Sequence, residues 1–232
     1  MHCIELNEMT SEDKKCDIKW LTLECNDEAF TKYVHKIGVD ESVKFVHILG
    51  FDEDDLKYIA DPIMAIVFLY PIKLDDTIKA ETCKVPKDLY YMKQSVGNSC
   101  GTVAAIHAIA NCDLKLAEDS ILSKFIESTK GKCPMEISKL FEANAELSQC
   151  HDESARSTQA EDNDEDQSDL HFICYVSNSG RLYELDGRKD GPIDHGECEE
   201  SQFLKKAIEA IKKYTQDGSE IRFSALGLVK SA

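Results

Sequence analysis

Gln94-Ser95-Val96-Gly97-Asn98-Ser99-Cys100-Gly101-Thr102, running on into Val103-Ala104-Ala105-Ile106-His107-Ala108-Ile109-Ala110, is the stretch around which the rest of the chain can be ordered. Its second part is apolar almost all the way round and holds no glycine or proline, so it reads as a buried helix. Cys100 then falls in the first helical turn, where unpaired backbone N–H groups and the positive end of the helix dipole favour thiolate over thiol. Asn98 or Ser99 is placed to cap the helix. Gly101 removes a side chain beside the sulfur, which would let a carbonyl approach it closely. Gln94 carries an amide NH2 that can donate to an oxyanion formed when the sulfur attacks. A cysteine on an apolar helix is more often plain core, so its position alone decides little.

A second stretch changes that balance. His171–Val176 and Arg181–Asp186 read as two strands around the turn-rich Ser177-Asn178-Ser179-Gly180. A two-residue loop at Asn178-Ser179, or a four-residue loop over the whole tetrapeptide, gives one register, in which 176 faces 181 and 171 faces 186. Opposed Cβ atoms lie about 5 Å apart, close enough for the Asp186 carboxylate to accept from an imidazole N–H of His171. A three-residue loop would break the pairing. His107 is the rival base. It lies about two helical turns from Cys100, roughly 10 Å along the axis, and reads as a satisfied helix histidine.

The stretch from Gln94, together with Asp169-Leu170-His171-Phe172-Ile173 and Leu182-Tyr183-Glu184-Leu185-Asp186-Gly187-Arg188, resembles the ubiquitin C-terminal hydrolase family of cysteine peptidases. The resemblance runs from about Asp17 to the C-terminus and holds the three motifs in family order. It implies an α/β (α+β) papain-like fold with a central, mainly antiparallel sheet flanked by helices and a knotted backbone. It implies a Cys-His-Asp triad of Cys100, His171 and Asp186, with Gln94 as oxyanion donor and no cofactor or metal. The implied activity is release of small adducts or short peptides from the C-terminal glycine of ubiquitin, and sometimes of Nedd8, through a thioester. It further places substrate-binding residues near Ile18–Leu23, and it makes the segment between the nucleophile and histidine halves a crossover loop that limits leaving-group size.

Composition sets outer bounds. The 232 residues suffice for one domain with a sizeable core; residues 1–15 read as a loose, flexible extension and 16–232 as a single catalytic domain. No run approaches the roughly 18 apolar residues of a membrane span, and the acidic N-terminus lacks the pattern of a signal peptide. Ten scattered cysteines without a C-x-x-C pair read as reduced thiols. A net charge of -17 argues against nucleic acid and anionic membranes and for a basic partner. The expectation is a monomeric protein of the cytoplasm or nucleus whose partner is ubiquitin.

Elsewhere, Ile18–Leu23 has strand character, with Trp20 read as core. Asn26 caps a helix with the stripe Phe30, Tyr33, Val34 and Ile37, stopped by Gly38. Val43–Leu49 reads as a strand whose Phe45, Ile48 and Leu49 enter the core. An acidic helix start at 52–55 precedes Leu56, Tyr58 and Ile59. Pro62–Pro71 reads as a central strand covered on both faces. A polar connection, about 73–87, leads into Tyr90, Tyr91 and the Gln94 motif. Two amphipathic helices follow, one over Ile121, Leu122, Phe125 and Ile126, the other from Pro134 with Ile137, Leu140 and Phe141 inward. A last strand covers Ile221–Val229. Residues 148–169 carry eight acidic residues against one arginine and no large aliphatic residue, and read as an irregular or disordered crossover loop. Asp162, Asp164 and Asp166 have EF-hand spacing but lack its glycine and final glutamate, and Cys150-His151 and His195-x-x-Cys198 are too few donors for zinc. Two other readings compete: a module that binds and stabilises ubiquitin with little turnover, and a redox-sensing thiol protein.

Overall fold

The computed structural model describes residues 20–59, 62–74, 81–158, 169–215 and 222–231. Six strands form one antiparallel sheet in the order β1-β6-β2-β3-β4-β5, with β1 at Val43–His47, β2 at Ala65–Pro71, β3 at Leu170–Asn178, β4 at Arg181–Leu185, β5 at Ile193–Glu197 and β6 at Ser224–Lys230. The expected central strand is β2, flanked by β6 and β3. Its alternate residues enter two cores: Ala65 and Val67 pack with α1 (Asp27–Ile37) and α3 (Cys100–Ala110), whereas Ile66, Phe68 and Tyr70 pack with α7 (Phe203–Thr215). Burial on both faces is what the continuous apolar run requires.

The helices start and stop where local chemistry directs. Asn26 Oδ1 accepts the Ala29 N–H at the start of α1, and Gly38 ends it at φ 113°. The Ser120 hydroxyl caps α4 (Ile121–Thr129), and Pro134 opens α5 (Pro134–Glu142), where the Glu136 carboxylate accepts the Cys133 N–H. Ile137 and Phe141 of α5 are buried, but Leu140 lies at its exposed edge.

Several expectations need correction. Leu49 is 95% exposed, because β1 ends at His47 and the chain turns outward. The acidic start yields only one turn, α2 (Glu53–Leu56), with no buried residue. Within 18–23 the described residues form no strand; Trp20 is buried against Phe141 and His151, and its N–H donates to the Gly97 carbonyl. Residues 148–158, expected as irregular, belong to α6 (Ala145–Thr158). That helix buries Leu147, Cys150, His151 and Ala155, a helical stripe made of small and polar side chains that a search for large aliphatics misses. Residues 1–19, the Asp162–Asp166 spacing and Ile221 lie outside the described residues.

Two elements go beyond the sequence expectations, β5 and α7. The stripe Phe203, Ala207, Ile208, Ile211 and Tyr214 of α7 has plain helical spacing. α7 is tied to the sheet through Glu184, a buried carboxylate of β4 that accepts from the Tyr175 and Tyr214 hydroxyls at 3.0 and 2.8 Å. Its third partner is His195 of β5 at 3.0 Å, which accounts for that histidine without a metal.

Candidate active site

The site lies where the sheet opens. β3 begins at Leu170, but its pairing with β4 starts only at Cys174–Leu185, so the first four residues of β3 have no β4 neighbour. The N-terminus of α3 occupies that gap, and the Phe172 and Gly101 N–H groups both reach the Cys100 sulfur. One donor from the first turn of α3, Gly101, and one from β3, Phe172, are thus directed at the thiol. Neither Ser99 nor Asn98 caps α3 through its side chain: the Ser99 hydroxyl donates to the Val96 carbonyl and the Asn98 amide to the Trp20 carbonyl.

His171 and Asp186 meet as expected, but through a different register. The hairpin loop is Ser179-Gly180, both with positive φ, so 178 faces 181 and 174 faces 185. The register is displaced by two residues, which preserves the face each side chain points to. Asp186, one residue past β4, therefore sits diagonal to His171 rather than opposite. The diagonal is within reach of the longer side chains, and His171 Nε2 lies 2.7 Å from Asp186 Oδ1. With Nε2 so engaged, Nδ1 is the ring nitrogen left to interact with the Cys100 thiol. Cys100, His171 and Asp186 are 7%, 2% and 1% exposed.

The electrostatics follow from that contact. Burial raises the Cys100 pKa, but the His171 hydrogen bond and charge, aided by the Phe172 and Gly101 N–H groups, outweigh it and hold the thiol below its ordinary value. Burial lowers the His171 pKa, yet the Asp186 and Cys100 hydrogen bonds push it up to about 9. Burial likewise opposes ionisation of Asp186, and its bonds to His171 and to the Arg188 N–H keep it below the usual carboxylate range. The arrangement can hold a thiolate beside an imidazolium over neutral pH.

Gln94 lies on the segment that enters α3. Its Nε2 donates one N–H to the Val96 carbonyl at 3.1 Å, leaving a second donor on the amide; its own N–H donates to the Gly187 carbonyl at 2.8 Å. A Cβ at Gly187 would lie 3.0 Å from the Gln94 Cβ and from Val103 Cγ1, so any side chain there would press on the Gln94 segment and on α3. The missing side chain of Gly101 has a packing consequence as well: a Cβ there would lie 3.2 Å from Leu23 and 3.5 Å from Phe172. Leu23 and Phe172 also line a cavity of about 180 Å³ with Thr22, Glu24, Cys25, Leu69 and Leu170.

His107 is no part of this cluster. Its Nε2 accepts the Met92 N–H at 3.1 Å and its ring stacks on Tyr91. Nδ1, which then carries the proton, faces the Leu185 backbone without closing a hydrogen bond of normal geometry. His151, passed over in the sequence except as a weak metal donor, is buried between Thr102 Oγ1 at 2.8 Å and the Leu21 carbonyl at 2.6 Å. The eight described cysteines are free thiols. No group of three or more His, Cys, Asp or Glu among the described residues is arranged to hold a metal.

Comparison with known proteins agrees in extent with this architecture. Residues 20–216 match the family model described as ubiquitin carboxyl-terminal hydrolase, family 1. A ubiquitin carboxyl-terminal hydrolase of Drosophila melanogaster is 35% identical over 221 residues, covering 91% of this chain and 97% of its own length. The human ubiquitin carboxyl-terminal hydrolase isozyme L1 is 35% identical over 222 residues, covering 90% and 98%. Among solved structures, the catalytic domain of Trichinella spiralis UCH37 bound to ubiquitin vinyl methyl ester superimposes with a TM-score of 0.78 at 22% identity, covering 94% of this chain and 99% of that one; the fold is thus the papain-like one of these catalytic domains. The chain belongs to the ubiquitin carboxyl-terminal hydrolase family 1, a family of cysteine peptidases.

Proposed function

We propose that the protein hydrolyses small adducts and short peptides from the C-terminal glycine of ubiquitin, and of Nedd8, by acyl transfer through Cys100. The observation that carries this reading is the buried His171 Nε2 held 2.7 Å from Asp186, with the same imidazole acting on the Cys100 thiol at the start of α3 and lowering its pKa. Cys100 attacks the glycine carbonyl as thiolate, and the oxyanion is received by the second N–H of the Gln94 amide and by the Cys100 N–H. His171 gives its proton to the leaving amine as the C–N bond breaks. It then takes a proton from the water that hydrolyses the thioester, releasing the ubiquitin carboxylate and restoring the thiol. Asp186 fixes the imidazole tautomer and stabilises the charged form throughout.

The alternative of a binding module with little turnover is less favoured, because His171 already interacts with the Cys100 thiol strongly enough to lower its pKa. A limit to small leaving groups is supported by how firmly α6 and the start of β3 are held on either side of the segment that joins them. α6 is pinned by His151 on one side, and on the other the Asp169 carboxylate accepts two hydrogen bonds from Arg222 at 3.0 Å each.

The deciding experiment is intact mass spectrometry after incubation with ubiquitin carrying an electrophile in place of its C-terminal carboxylate, with a Nedd8 counterpart in parallel. The parent should gain the mass of one modifier and Cys100→Ala none. A parent that stays unmodified by ubiquitin, or a variant that is still modified, would sink the assignment.

A further inference from the structure

The turn that carries Asp186 is gripped by one short segment from the opposite side of the site. The turn closes through the Lys189 N–H to the Asp186 carbonyl at 3.0 Å and the Arg188 N–H to Asp186 Oδ1 at 2.9 Å. Its four carbonyl oxygens, 186 to 189, are all bound by residues 91–94, the Asp186 oxygen in addition to the N–H that closes the turn. The Tyr91 hydroxyl lies 2.6 Å from the Asp186 oxygen and 2.6 Å from the Lys189 oxygen; with one proton and two acceptors, it donates a shared bond. The Gln94 N–H takes the Gly187 oxygen. The Lys93 ammonium donates to the Arg188 oxygen at 3.1 Å, the Lys189 oxygen at 2.6 Å and Asp190 Oδ1 at 3.1 Å.

The same segment is fastened to the nucleophile helix. The Met92 N–H donates to His107 of α3, and the Tyr91 ring stacks on His107 with centroids 5.4 Å apart and planes 9° from parallel. Burial first, then the Asp186 and Asp190 charges, raise the Tyr91 pKa and keep its hydroxyl protonated as a donor. Where β4 would have continued its ladder with β3, the chain is handed over to this clamp. One Asp186 carboxylate oxygen, Oδ2, is buried without a hydrogen-bond partner, so the carboxylate is aimed chiefly by its backbone.

We propose that Tyr91 and Lys93 are positioning residues for the reaction: their grip on the carbonyls of 186–189 sets the Asp186 carboxylate against His171 and holds it in register with Gln94. The inference rests on the triad proposed above. A carboxylate that drifts by even 1 Å supports the imidazolium less, so His171 should titrate lower and catalysis should fall while ubiquitin binding stays.

The test is the pH dependence of kcat/KM on an amide of the ubiquitin C-terminus, for Tyr91→Phe, Lys93→Met and the double variant, with Asp186→Asn as reference. Tyr91→Phe keeps the stack on His107, so it isolates the hydroxyl without emptying the core. The parent's alkaline limb is expected near the His171 value of about 9, and Asp186→Asn should move it down. The double variant is expected to move it in the same direction by at least about half a unit and to lower kcat about tenfold with KM within about twofold. A double variant with the parent's limb, while Asp186→Asn moves it, would overturn the clamp even if its melting temperature fell. If Asp186→Asn itself leaves the limb in place, the triad reading fails and the clamp with it.

Discussion

Gln94 has two donors and gives one of them to its own loop. In the proposed mechanism that bond to Val96 preorganises the amide, so the remaining N–H would need no reorganisation when charge develops on the substrate oxygen. Removing one such donor typically lowers turnover about 100- to 1000-fold. Gln94→Ala should therefore lose kcat by about that factor, checked by single-turnover kinetics, while its affinity for ubiquitin, measured by titration calorimetry, stays near the parent's. A variant that turns over at the parent rate would remove Gln94 from the mechanism. At this scale the sequence carried much of the site, because a cysteine at a helix start and a His–Asp pair across a hairpin are local patterns. What it lacked was the reason for each neighbour. Gly101 also packs closely on Leu23, and Tyr91 and Lys93 reach main-chain oxygens about a hundred residues away, which no side-chain pattern announces.

α6 shows how an element can hide in a sequence. Its buried face is made of Cys150, His151 and Ala155 after Leu147, so periodicity survives while hydrophobicity does not. His151 explains how such a face is held: Nε2–H donates to the Leu21 carbonyl, which can only accept, Nδ1 pairs with Thr102 Oγ1, and the Thr102 hydroxyl reaches on to Tyr33. One ring thereby joins α6, the segment after Trp20, α3 and α1. His151→Leu fills the space but leaves the Leu21 carbonyl and the Thr102 hydroxyl poorly satisfied, at about 1–3 kcal/mol for each buried group. A loss of about 2–4 kcal/mol is expected in urea unfolding, and a variant within about 0.5 kcal/mol of the parent would show the network to be dispensable. The hairpin teaches the converse lesson: its strands were legible from alternation, but its register depended on which two residues took positive φ, and Ser179-Gly180 rather than Asn178-Ser179 did so.

Across the whole molecule, the neighbours β1 and β6 are separated by most of the chain, an order that hydrophobic pattern does not specify, because an apolar face records burial and not which strand lies alongside. The finished fold encloses titratable groups whose combined response to pH can be worked out. Burial holds His107 down at about 4, and it lowers His151 as well. For such groups the stability contribution is present above the unfolded value near 6.5 and is lost as pH falls toward the folded value, because the unfolded chain takes up protons first. His171 does not offset this: its pKa is raised, so its contribution is already complete below 6.5 and is lost only as pH rises through about 9. Asp186, held below 3.8, yields only under stronger acid. Between pH 6.5 and 4 the histidines therefore dominate, and His107 alone accounts for on the order of 3 kcal/mol, about 1.4 kcal/mol per unit of pKa. In His107→Gln the side-chain carbonyl can still accept the Met92 N–H, but nothing titrates. Urea unfolding at pH 6.5, 5.5 and 4.5 should show the parent losing stability at each step and the variant losing clearly less. Parallel loss in the two would place the acid sensitivity elsewhere, with His151 the next residue to replace.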